Sequence, residues 1–69
     1  MVEMSYVLAK RKEIGMRIHN RRTELGLFQK DLADRVGTSQ RNISDIEKGK
    51  INFSIDKIIS IYKVLKLDI

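Results

Sequence analysis

The 69-residue sequence contains no cysteine, no proline and no tryptophan, and only one histidine. Without cysteine there is no disulfide framework and no thiolate metal site, so the fold must be held by packing, which suits a reducing cytoplasm. No run approaches the roughly 18 apolar residues of a membrane span. The amino terminus lacks the order of a secretion signal, because Lys10, Arg11 and Lys12 follow the mildly apolar Met4 to Ala9 stretch instead of preceding it. The cytoplasm is the expected location. The lone His19 sits in a charged segment with no evident carboxylate partner and reads as a surface residue. No phosphate loop, paired-carboxylate arrangement or nucleophile elbow appears, so neither an enzyme nor a metal or other cofactor is expected.

What is present is positive charge: 14 Lys and Arg against 9 Asp and Glu, a net +5. A basic balance favours nucleic acid or an anionic membrane surface. The membrane alternative is the weaker one, since the basic first helix has a thin apolar face and no Trp to anchor it. A single domain of this size buries only about 60% of its unfolded surface, which leaves little room for a shielded catalytic cavity and makes help from a second subunit plausible.

Four glycines, at positions 15, 26, 37 and 49, fall eleven to twelve residues apart. This spacing suits short helices divided by tight turns. Residues 1–9 read as a flexible arm and 10–69 as the folded domain. A first helix is expected from Lys10 to Leu25, with Ile14, Ile18 and Leu25 on one face; Gly15 inside it weakens it by up to about 1 kcal/mol. A second runs over Gln29–Val36, where Phe28 takes the place of a capping residue and is read as an apolar plug. A third, capped by Ser39, runs over Gln40–Lys48. A fourth opens at Ser54 and reaches about Lys66. Ile55, Ile58, Ile59, Tyr62 and Leu65 are expected in its core face. Ile61, Val64 and Leu67 widen that face, either as a dimer surface or as cover for the first helix.

The third helix divides by chemistry. At about 100° per residue, Ile43, Ile46 and Glu47 share one arc, and Gln40, Arg41, Ser44, Asp45 and Lys48 share another. With the short Gly37-Thr38-Ser39 link, Gln29 to Gly49 has the layout of a helix-turn-helix, whose second helix enters the major groove. Gln pairs with adenine and Arg with guanine through two hydrogen bonds each. The start of the second helix, with Gln29 and its free N–H groups, suits a phosphate. Six basic residues against one acid between Lys10 and Arg22 make Arg17 or Arg21 a further phosphate contact, or simply a solvated face.

These residues resemble the lambda-repressor-like, Cro/CI-type (XRE) helix-turn-helix family. The resemblance rests on Ile14-Gly15 with Ile18, the Arg21 to Leu27 run, Gln29 with Asp31-Leu32-Ala33, Val36 to Ser39, Ile43-Ser44, Ile46-Glu47, Gly49-Lys50, and Ser54 opening a helix that closes at Leu65. It covers about residues 14–67. It implies an all-α, compact four- to five-helix domain that binds double-stranded DNA as a homodimer at an inverted-repeat operator and regulates transcription, as a repressor. Carried onto this sequence, it implies base contacts by Gln40, Arg41 and Ser44, with Asp45 at a fourth base-facing position, and phosphate contacts by Gln29, Ser39, Lys50 and Asn52. It also implies a structural salt bridge between Arg22 and Glu47; the alternative is a phosphate-bound Arg22 and a solvated Glu47. Three departures stand out. Phe28 replaces a small capping residue. Asp45 would meet the DNA, where it either selects cytosine or avoids the groove. Tyr62 and Lys66 replace a small residue and a glycine, closer to the antitoxin branch, whose members bind a cognate toxin protein and regulate their own operon.

Overall fold

Local signals in the chain are enough to start and stop each of four helices: α1 over Met4–Glu24, α2 over Gln29–Val36, α3 over Gln40–Glu47 and α4 over Ile55–Leu65. This computed structural model describes residues 1–50 and 53–68, and there is no strand among them. Ser39 Oγ accepts from the Asn42 N–H at 3.1 Å and Ser54 Oγ from the Lys57 N–H at 3.2 Å, the side-chain caps that open α3 and α4. The α1–α2, α2–α3 and α3–α4 links each contain a glycine with positive φ.

α1 begins at Met4 rather than Lys10, so six residues of the expected arm are helical. Nothing between Met4 and Arg11 interrupts a helix, and Met4, Val7, Arg11, Ile14 and Ile18 recur on one face. The boundary carries little signal because Glu3, at the N-cap, makes no side-chain capping bond. Phe28 is likewise no plug: it is 76% exposed. α2 opens instead with the Asp31 carboxylate accepting from the Phe28 N–H at 2.8 Å, half of a capping box.

α3 lies against both α1 and α2, and α4 closes the other side of the same two helices. Ile18, Leu32, Ile43, Ile46, Ile61 and Leu65 are completely enclosed between them. The buried face of α4 differs from the expected one. Ile61 is fully buried within its own chain and cannot serve a dimer surface, while Val64 and Leu67 are half-buried against the core. Conversely, Ile55 and Ile59 stand exposed. The apolar arc of α4 is wider than the groove left by α1 and α2, and only the position of those helices selects which part is covered.

Candidate nucleic-acid interface

The link from α2 to α3 is tight because Gly37 takes a left-handed conformation, φ 80°, open to glycine at little steric cost. The N–H groups of Gly37 and Thr38 both donate to the Ala33 carbonyl at 2.9 Å, which satisfies the end of α2 and turns the chain back. Asn42 Nδ2 then donates to Thr38 Oγ1 at 2.9 Å, tying the first turn of α3 to the link. The result is two short helices held at a fixed crossing.

α3 is fixed from behind by a cluster around Glu47. Arg22 grips this carboxylate with two N–H groups, Nε to Oε2 at 2.6 Å and Nη2 to Oε1 at 3.0 Å, and its Nη1 donates to the Leu27 carbonyl at 2.7 Å. One guanidinium thus joins α1, the link to α2, and α3 in the bidentate geometry that suits Arg. Gln29 Nε2 donates to the same carboxylate at 3.2 Å. His19 Nδ1 lies 2.9 Å from Glu47 Oε1, so its Nδ1–H tautomer donates there. His19 is exposed, as expected of a surface residue, but it has a carboxylate partner, which the sequence did not show. The i, i+3 spacing of His19 and Arg22 was the available signal. Among the described residues no buried side-chain polar atom lacks a hydrogen-bond partner.

Gly15 permits the approach of α3 to α1. A Cβ at this position would lie 2.6 Å from the Glu47 carbonyl oxygen and closer still to that of Ile46. Only a helix without a side chain there can sit this near the last turn of α3.

With Ile43, Ile46 and Glu47 turned inward, Gln40 and Arg41 are exposed and Ser44 and Asp45 are half-exposed on the other side of α3. Ser39 and Lys50, at the two ends of the helix, are also exposed. Gln29, half-buried, is engaged with Glu47 and so contributes a brace at the start of α2. Asn52 lies outside the described residues. Arg17 is not brought to this face. Its guanidinium stacks 5.5 Å from the centre of the Tyr62 ring on α4, and Arg17 lies roughly 140–160° around α1 from Lys12, Gly15, His19 and Arg22, whereas Gly15, His19 and Arg22 meet α3. Arg21 is equally committed, donating from Nε to the Leu65 carbonyl at 3.0 Å and so closing the end of α4.

A profile of the helix-turn-helix family matches residues 18–69. The chain belongs to the Cro/CI-type helix-turn-helix family of DNA-binding regulators. It is 38% identical over 56 residues, 81% of its length, to a Rhodospirillum rubrum protein described as an uncharacterized transcriptional regulator in the ATPase CF(0) region. The chain spans about half, 52%, of that relative. Among solved structures it resembles the restriction-modification controller protein C.AhdI from Aeromonas hydrophila, with a TM-score of 0.81 and 28% identity over 87% of this chain and 91% of that one. No described helix is long and apolar enough to cross a membrane.

In this helix-turn-helix protein the electrostatics of the brace follow from its partners. Burial by itself raises the Glu47 carboxyl, but hydrogen bonds from Arg22, His19 and Gln29, with the Arg22 charge, outweigh it and hold the group below its ordinary value. Glu47 is therefore ionised at neutral pH and its charge is matched within the fold.

Proposed function

We propose that this helix-turn-helix protein binds an inverted-repeat operator as a homodimer and represses the adjoining promoter by occluding it. The observation that carries the reading is the division of α3: Gln40, Arg41, Ser44 and Asp45 are accessible, while the opposite side is anchored to α1 and α2 through Glu47. A rigid, outward polar face of this size fits the major groove. Gln40 and Arg41 read base edges. Ser44 contacts a base edge beside them, and Asp45 accepts from a cytosine amino group. Ser39, Lys50 and Asn52 contact the flanking phosphates. Operator binding places the protein with the chromosome in the cytoplasm.

The likeness to C.AhdI over nearly the whole of both chains favours a second reading of the biological setting, control of a restriction-modification operon. In either case the test is selection from a random duplex pool at two salt concentrations. Enrichment of an inverted repeat with half-sites about one helical turn apart is the expected result. Binding that vanishes in salt without any enriched sequence would overturn operator recognition, and capture of a toxin protein instead would point to the antitoxin alternative.

A further inference from the structure

α4 carries apolar surface that its own chain does not cover. Ile55 is 65% and Ile59 49% exposed; four residues apart, they form a stripe along the edge of the buried face. Wound at about 100° per residue, Asp56 and Lys63 fall within roughly 20° of each other and border this stripe on its outer side. Both are exposed. Among the described residues neither forms an ion pair within the chain.

We infer that this face is the homodimer interface, formed by antiparallel packing of α4 against α4 of a second copy. The inference rests on the homodimer reading above and assigns it a surface. The charge pattern selects both the partner and the direction. Ile59 lies next to the midpoint between Asp56 and Lys63, which sit about 5 Å to either side of it along the helix axis. A two-fold axis through that midpoint, perpendicular to α4, keeps both charges on the same edge and reverses their order. Each Asp56 then comes level with Lys63 of the second copy, and Ile59 meets Ile59. The contact is self-complementary, as an isologous interface must be. A parallel pairing, about a two-fold axis along the helices, would instead put the charged edges of the two copies on opposite sides of the contact, so that Asp56 and Lys63 would face no partner. Antiparallel packing also sets the positive end of each helix beside the negative end of the other. The surface differs from the one expected from sequence: Val64 lies on the opposite flank of the buried face.

An 11-residue helix is only about 16 Å long. One such contact falls below the roughly 800 Å² per partner of a stable interface, so the free dimer dissociates readily and the operator strengthens it.

Sedimentation equilibrium of the full chain, from micromolar to millimolar, tests the assignment with three charge variants and one apolar variant. Asp56→Lys and Lys63→Asp should each weaken dimerisation by about tenfold or more, through like charges placed face to face. The double reversal D56K/K63D should recover it to within about threefold, because the pairs are restored with opposite sense. Ile59→Glu, at an exposed position, should yield a monomer that melts near the parent temperature. Melting curves of the single variants separate loss of association from loss of fold. A protein that dimerises regardless of these changes would overturn the surface while leaving the homodimer reading intact. A protein that remains monomeric at millimolar concentration, and occupies the two half-sites of a selected operator independently, would overturn both.

Discussion

Replacing Gly15 by alanine sets two effects of known sign against each other. In an isolated helix the change is favourable by about 1 kcal/mol, and α1 is a 21-residue helix with this glycine in its interior. In the folded protein the added methyl would lie 2.6 Å from the Glu47 carbonyl oxygen and 2.8 Å from its carbonyl carbon. These are backbone atoms of α3, not the ends of flexible side chains, so the clash is relieved only by moving α3 away from α1. That movement stretches the 2.6 Å Arg22–Glu47 contact and loosens Ile46 in the core. Overpacking of this type costs about 1–3 kcal/mol, and striking backbone places it at the upper end. After the helix gain is subtracted, a net loss of about 2 kcal/mol remains, or roughly 8–16 °C in Tm for a domain of this size. Thermal unfolding followed by circular dichroism measures it, with operator affinity expected to fall as well because α3 is displaced. A Gly15→Ala protein that melts higher than the parent would refute the reasoning, since helix propensity would then have outweighed the contact.

Because Glu47 is held below its ordinary 4.5, its contribution to stability is complete above about pH 4.5 and is lost as the pH falls through the lower folded value; in urea melts across this range the advantage of the parent over Glu47→Gln should shrink on acidification, and a constant difference would contradict it. Lys66 occupies the left-handed region, φ 58°, at the end of α4, so Lys66→Gly should stabilise the protein by about 1 kcal/mol, measured as a raised urea midpoint. On DNA, Arg41→Ala should cost about 1–3 kcal/mol and relax the preference at one base position. Lys50→Ala should weaken all sequences alike and reduce the salt slope by about 1, as read from binding isotherms at several salt concentrations.

Within one chain, the amino-acid order determined the features that depend on near neighbours. Ser39 and Ser54 as caps, the glycines between helices and the periodicity of Ile14 with Ile18 define where helices lie; the division of α3 into apolar and polar arcs follows from spacing alone. Glu47 on the inward arc required a cation, and Arg22 was legible as its partner through the family pattern. The tertiary structure decided what depends on distant neighbours. His19 joins the Glu47 cluster only because α1 crosses the end of α3. Arg17 and Arg21, equivalent as basic residues of one helix, go to the Tyr62 ring and the Leu65 carbonyl because α4 lies on their side. Gly15, a defect in a lone helix, becomes a contact point once two backbones meet. In α4 the sequence supplies an apolar arc too broad to state which part is buried, and the placement of α1 and α2 encloses Ile61 while leaving Ile55 and Ile59 outside. Helical periodicity sets the relative angles of side chains around an axis; the direction of that arc with respect to the core is fixed only when the helices pack.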